Sequence, residues 1–340
     1  MINMKKIKVG IIGCGIITKD AHVPALKNLS HEVEVIAVCN RSKEKALDIA
    51  LDLNLHVSAV WTDWGKMIVA LTDLDAILVA LPINMNHPVS KACCAAGLSV
   101  LCEKPAGMSN AEAEDTKTFS EKYGVTYMTG ENVHYIPHIT KAVELVESGI
   151  IGNVHSLVWN QFQFMEIDNK FNQTQWRSKN EHPGGYVLDG GVHSVHALKM
   201  IAGPIKSVYS RTKSIEKGLG TMDTTLSTIE HDNGIVSSFN IGWRAINDDD
   251  NLKIYGDKGT LIVKEREGVI EQLTPEGKTT VFDITKNTGT GNSFYLEWCD
   301  FINAVKTKTA PSMPSQAPVD DIKVVMAIIE SGETSKIVML

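Results

Sequence analysis

Two patterns of apolar and polar positions divide the chain. Over the first 130 residues, short apolar runs alternate with helical stretches. The runs Lys8–Ile12, Val33–Cys39, Ala76–Leu81, Leu98–Cys102 and Val125–Met128 predict buried strands. Ala21–Leu29, Lys43–Leu53, Trp64–Leu71, Pro88–Ala96 and Asn110–Tyr123 predict helices between them. Ser109, with Glu112 three residues on, marks a helix start, because each side chain can satisfy a backbone N–H that the first turn leaves open. Strands that alternate with helices pair in parallel, so a doubly wound parallel sheet is expected over 1–129.

The pattern then changes. A helix is expected from Pro137 to Ser148, stopped by Gly149, then a long strand from Val154 to Phe164. Val187–Ile201 reads as a helix ending before Gly203-Pro204. Val208–Lys213, Thr224–His231, Ile235–Trp243, Leu252–Tyr255 and Thr260–Val263 follow as strands, with Asp232-Asn233-Gly234 and Asp257-Lys258-Gly259 as tight turns. Phe294–Lys306 and Val319–Gly332 close the chain as helices. Strands joined by short turns pair antiparallel, so 130–340 is expected to be an α/β domain with an open, mostly antiparallel sheet. Such a sheet exposes a broad face. Trp159, Phe162, Phe239 and Trp243 are the expected apolar surface of a homodimer or homotetramer.

At 340 residues the chain is long enough for two cores. A formal charge of -7 argues against nucleic acid or an anionic membrane as the main partner. The apolar stretch Val9–Ile17 is short and broken by glycines, which excludes a signal peptide or a membrane span there. None of the six cysteines forms a CxxC pair and most lie in apolar runs, so reduced thiols in a cytoplasmic protein are expected.

The turn Gly10-Ile11-Ile12-Gly13-Cys14-Gly15-Ile16-Ile17-Thr18 joins the first strand to the first helix. Gly13 permits the tight turn, and Gly15 lets backbone approach a pyrophosphate. Thr18 stands where Gly or Ala is usual. A glycine-rich turn is common in α/β proteins; its place directly after the first strand points to a dinucleotide-binding Rossmann domain. At the end of the second strand a carboxylate would hold the adenosine ribose. This chain has Asn40-Arg41-Ser42 instead, which favours NADP(H), with NAD(H) as the alternative. Arg41 can equally be a solvated residue opening a helix rich in Lys and Glu.

Glu103-Lys104-Pro105 follows the fourth strand, and with the glycine turn it resembles the Gfo/Idh/MocA oxidoreductase family. Leu81-Pro82 through Ala95-Ala96-Gly97, Tyr135-Ile136-Pro137, Ser148–Gly152 and Gly184–His193 extend the resemblance in order along the chain. The resemblance implies Lys104, Asp189 and His193 as catalytic residues. It implies a cofactor site at Gly13, Gly15, Ile16, Ile17, Asn40, Arg41, Ser42, Leu81, Pro82, Glu103 and Lys104. His134, Trp176, Arg177 and His196 are expected to line the substrate pocket, in a cleft between the two domains. The implied reaction is hydride transfer between nicotinamide and a hydroxyl or carbonyl carbon of a sugar, polyol or related small molecule. His193 would move the hydroxyl proton, Asp189 orient the imidazole or bind a neighbouring hydroxyl, and Lys104 polarise the carbonyl oxygen and hold the carboxamide end of the cofactor. A cis bond before Pro105 is also implied. In two places the chain departs from the family: His196 stands where Asp is frequent, and His134 where Arg is frequent. Asp189, His193 and His196 can also be read as metal ligands with His182 as a further ligand, but no metal is expected on ligand count. Two rival functions remain open: a regulatory dinucleotide-binding protein, and a lyase or glycosidase that uses its cofactor transiently.

Overall fold

A computed structural model describes residues 6–178, 182–246, 250–285 and 293–340. It divides the chain into two compact units, Met1–Asn132 with Asn292–Val319, and Val133–Gly291 with Asp320–Leu340. The division is discontinuous, where the apolar pattern suggests a single cut at 129/130.

In the first unit β1 (Ile7–Ile12), β2 (Val33–Cys39), β3 (Val60–Trp61), β4 (Ala76–Val79), β5 (Ser99–Glu103) and β6 (Tyr127–Gly130) form one sheet in the order β3-β2-β1-β4-β5-β6. Every pairing in it is parallel. All four residues of β4 are fully buried, which is why that strand reads as a continuous apolar run. Helices α1 (Val23–Asn28), α2 (Lys43–Asp52), α3 (Trp64–Ala70), α4 (Ile83–Ala95), α5 (Asn110–Lys117) and α6 (Phe119–Tyr123) connect the strands. Strand β3 is too short to leave an apolar pattern. Helix α4 begins five residues before Pro88, and the proline is carried inside it. The helix expected from Asn110 to Tyr123 breaks at Thr118, whose hydroxyl donates to Asp115 O. Its N-terminus is capped as anticipated: Ser109 Oγ accepts from Glu112 N, and the Glu112 carboxylate accepts from Met108 N. Between β1 and α1, Thr18–His22 forms one π-helical turn. Helix α10 (Ser293–Thr307) belongs to this unit because its apolar face, with Trp298 and Phe301, is buried there; Trp298 and Phe294 meet the His22 ring edge-on.

In the second unit α7 (Pro137–Glu147), β7 (Val154–Phe162), α8 (Gln175–Ser178) and α9 (Gly185–Ala202) precede β8 (Ile205–Lys213), β9 (Thr224–His231), β10 (Val236–Gly242), β11 (Leu252–Gly256), β12 (Gly259–Lys264), β13 (Val269–Leu273) and β14 (Thr279–Asp283). Helix α11 (Gln316–Thr334) and β15 (Val338–Met339) end the chain. The sheet order is β14-β13-β12-β11-β7-β10-β9-β8-β15. Only β7 and β10 pair in parallel. Helix α9 is buried on almost every side, and Gly190 lets it approach the sheet: a Cβ there would stand 2.6 Å from the Trp243 indole. Trp159, Phe239 and Trp243 are therefore buried, contrary to the exposed face expected of them. They lie on the side of the sheet that helices cover. The open side instead exposes Tyr209, Leu226 and Val236.

Candidate active site

The first unit shapes its nucleotide turn with backbone. Gly13 has φ +104, and a Cβ there would overlap the Ala80 carbonyl oxygen, so only glycine fits. Gly15 differs: a Cβ there would meet nothing within 4 Å. Its backbone is therefore approachable, as a pyrophosphate requires. Ile16 and Ile17 follow it, half-buried. Thr18 explains its own presence, since its buried hydroxyl donates to Gly13 O at 2.7 Å and ties the turn closed. Asn40 braces the same turn. Its Oδ1 accepts from Cys14 N at 3.2 Å, and its amide donates to Ser42 O at 3.1 Å. Ser42 caps α2 through Lys45 N. Arg41 is exposed at the end of β2 and makes no hydrogen bond or ion pair with the described residues. Burial pushes the Cys14 thiol up to about 12, which removes it as a nucleophile.

The ends of β4 and β5 are joined by Asn86. Its Oδ1 accepts from Leu81 N and its amide donates to Glu103 O. Leu81, Pro82 and Lys104 are half-buried. The Lys104–Pro105 bond is cis. Glu103 is turned into the unit: its Oε1 lies 2.8 Å from His22 Nε2, and Trp298 Nε1 donates to His22 Nδ1 at 3.0 Å. Since Nδ1 accepts from Trp298, the Nε2 nitrogen carries the proton and donates to Glu103. The Glu103 side chain therefore holds the π turn and α10 in place. Glu297 lies near it, fully buried, with neither carboxyl oxygen hydrogen-bonded to a described residue. Burial, then the neighbouring Glu103 and Glu131 charges, raise its pKa well above the usual carboxylate range.

The second unit places a polar face on α9. Asp189, His193, His196 and Lys199 follow one another at spacings of four, three and three, so they share one side of the helix. Asp189 Oδ2 lies 2.6 Å from Arg177 Nε, a charge-assisted hydrogen bond. The Arg177 guanidinium lies 4.0 Å over the Trp176 ring centroid, and Nη1 donates to Thr174 Oγ1. Asp189 is buried; His193, one turn on, is half-buried. His196 is 1% exposed, with Nδ1 2.8 Å from Asp321 Oδ2 and Nε2 3.0 Å from His134 Nδ1. Lys199 Nζ lies 2.9 Å from the other Asp321 oxygen. Of the two histidines expected to meet substrate, His134 is half-buried and His196 stands behind it. His182 donates to Gly185 O and packs against Trp176. Among the described residues, no three His, Cys, Asp or Glu side chains are grouped to hold a metal.

Residues 7–131 match the model of an oxidoreductase family with an NAD-binding Rossmann fold. Residues 139–262 match the GFO/IDH/MocA C-terminal domain. The chain belongs to the GFO/IDH/MocA oxidoreductase family. An uncharacterized protein of Saccharomyces cerevisiae is 31% identical over 265 residues, 76% of this chain and 74% of its own. A D-xylose 1-dehydrogenase (NADP(+)) of Haloferax volcanii is 29% identical over 97% of this chain and 99% of its own. The crystal structure of an oxidoreductase from Thermotoga maritima superposes with a TM-score of 0.90 at 30% identity, covering 98% of each chain. No helix among the described residues is long and apolar enough to cross a membrane.

Within this family architecture, sequence reasoning missed Asn86, Tyr186 and Asp321. Asn86 lies inside a helix whose start was misplaced. Tyr186 sits in the first turn of α9, and its buried hydroxyl has no hydrogen-bond partner among the described residues. Burial pushes the phenol up to about 12, Arg177 pulling it down and Asp189 pushing it up. Its place within the Gly184–His193 motif was the available signal.

Proposed function

We propose that this oxidoreductase transfers a hydride between NADP(H) and a hydroxyl-bearing carbon of a sugar or polyol. The observation that carries the reading is the polar face of α9, where an Arg-held carboxylate and a half-buried histidine stand one turn apart in a family oxidoreductase. The nicotinamide, when bound, accepts or returns the hydride. His193 takes the proton from the reacting hydroxyl, or gives it back in reduction. Asp189, fixed by Arg177, receives a neighbouring hydroxyl or orients the imidazole. Lys104 polarises the oxygen as the C–O bond changes order. The Tyr186 hydroxyl supplies a further hydrogen bond near Asp189, and Trp176 gives the sugar an apolar surface. Arg41, exposed and uncommitted beside the braced Asn40, binds the 2′-phosphate that distinguishes NADP(H). The D-xylose dehydrogenase relative supports both the substrate class and NADP(H).

The free thiols support a cytoplasmic enzyme. The open side of the second sheet, with Tyr209, Leu226 and Val236, supports self-association. Light scattering at micromolar concentration tests this: a dimer or tetramer is expected, and a monomer overturns it. The activity is tested with NADP+ against a panel of sugars and polyols. Net NADPH formation is the expected result. Product without net NADPH would show transient redox chemistry instead, and absence of any product overturns the reading.

A further inference from the structure

Tyr186, in the first turn of α9, carries a phenol hydroxyl that the fold buries without pairing it to any described residue. We propose that Tyr186 is a specificity-determining residue: its hydroxyl bonds a ligand hydroxyl remote from the reacting carbon, so that the substrate is a polyhydroxylated molecule and not a simple alcohol. This specificity rests on the sugar or polyol reading above.

Backbone and ring together fix where the phenol lies. Tyr186 N donates to Met222 O at 3.1 Å. Gly185 before it has φ +53, and a Cβ there would stand 2.8 Å from the same Met222 oxygen, so the chain lies directly on the Met222 backbone. The Tyr186 ring packs at 44° to the Trp243 ring, with centroids 5.4 Å apart. Trp243 is itself buried, which leaves the phenol little room to turn. Tyr186 is 6% exposed, and its hydroxyl has no hydrogen-bond partner among the described residues. A buried hydroxyl without a partner destabilises a fold, and phenylalanine would fill the same space without that cost. A partner that arrives with a ligand accounts for it. Burial pushes the phenol up to about 12, so at neutral pH it keeps its proton and can donate as well as accept. Arg177 and Asp189 are the charged groups near enough to act on it. Tyr186, Asp189 and His193 follow one another at spacings of three and four, on one side of α9. The helical rise separates Tyr186 from His193 by about 10 Å along the axis. The two side chains therefore serve different positions of one ligand: His193 the reacting hydroxyl, and Tyr186 a remote one, with the Arg177-held Asp189 between them.

Tyr186→Phe removes only the hydroxyl. Without ligand the variant is expected to unfold at the same denaturant concentration as the wild type or at a higher one, since water satisfies the hydroxyl in the unfolded chain alone. With a sugar or polyol that the wild type oxidises, it is expected to raise KM roughly tenfold, the loss of about one hydrogen bond, with a smaller change in kcat. Monodeoxy analogues of that substrate locate the partner. On one analogue, deoxygenated away from the reacting carbon, the wild type is expected to lose as much kcat/KM as Tyr186→Phe loses on the parent, and the variant to lose almost nothing further. A lower unfolding midpoint overturns the assignment, because the hydroxyl would then make a structural bond. So does an unchanged KM, and so do losses that multiply for every analogue. If the wild type oxidises no member of the panel, melting temperatures read binding instead. A sugar or polyol that raises the melting temperature of the wild type more than that of Tyr186→Phe then overturns the hydride-transfer reading and supports the role of Tyr186. Equal stabilisation of the two proteins, or none, overturns both.

Discussion

The turn after β1 is made by backbone, and the polar face of α9 is made by side chains. At the turn, Gly13 adopts a φ that other residues avoid and Gly15 keeps a surface clear. Almost nothing there depends on which side chains are present, beyond the braces from Thr18 and Asn40. Around the polar face of α9 the groups are tied to named partners: Asp189 to Arg177, and His196 to Asp321 and His134. A backbone site suits a ligand shared by many enzymes, because amide groups and a clear approach are all that a pyrophosphate needs. A side-chain site can be rewritten for another substrate without altering the fold. The difference predicts that substitutions in the two regions fail in different ways.

The largest effect is expected at His193. His193→Ala should lower turnover by ~10²–10⁴-fold, the usual range for a positioned proton-transfer group, and leave dinucleotide affinity unchanged. Steady-state kinetics and a dinucleotide titration read both. Near-normal turnover would move the proton transfer to Lys104, and the division of labour between the two regions would fall with it.

Next come the two glycines, which sharpen the contrast within the turn itself. Gly13→Ala forces a left-handed φ on alanine, about 1–3 kcal/mol, and drives its Cβ into the Ala80 carbonyl. The melting temperature should fall. Gly15→Ala puts its methyl into open space, so the melting temperature should hold while dinucleotide affinity drops on the order of tenfold, through a blocked approach. Equal loss of stability in both variants would mean that Gly15 serves the fold and not the ligand.

Arg41 should follow. If its guanidinium holds the 2′-phosphate, Arg41→Ala costs about 1.5–3 kcal/mol of NADPH affinity and leaves NADH affinity almost unchanged. Calorimetric titration with each dinucleotide decides it. An equal effect on both returns Arg41 to a solvated role and removes the only side-chain selectivity assigned to the turn.

The same contrast explains what could be read from sequence. The longer strands of the first unit were legible because a parallel sheet buried on both faces needs continuous apolar runs, and Gly13 because its φ and the Ala80 carbonyl leave no alternative. The stripe on α9 was half legible: spacing placed Asp189 and His193 on one face, but not their partners. Asp321 lies 125 residues from His196 in sequence, within an otherwise ordinary helix, so no local pattern could join them. Trp159, Phe239 and Trp243 were assigned to the wrong side of the sheet because alternation shows that two faces exist and not which one a helix covers. The return of α10 to the first unit was not legible for a similar reason, since it rests on packing at His22 and on the Lys306–Glu32 pair, far apart in sequence.

The smallest expected effect tests a side-chain cluster inside the backbone-made unit. Glu297 is fully buried beside the charges of Glu103 and Glu131, and its pKa is raised well above its ordinary 4.5. In the unfolded chain the carboxyl loses its proton near that ordinary value; in the folded unit it keeps the proton to much higher pH. Between those limits the folded state binds more protons, so this group's contribution to stability is complete below about pH 4.5 and is lost as pH rises toward the folded value. Glu297→Gln keeps the shape, carries no charge and does not titrate. The variant should therefore unfold at the same denaturant concentration as the wild type near pH 4.5 and at a higher one at pH 8. Parallel stability profiles for the two proteins would show that Glu297 is ionised in the folded state. The cluster around Glu103 would then hold a charge that neither carboxyl oxygen's surroundings account for.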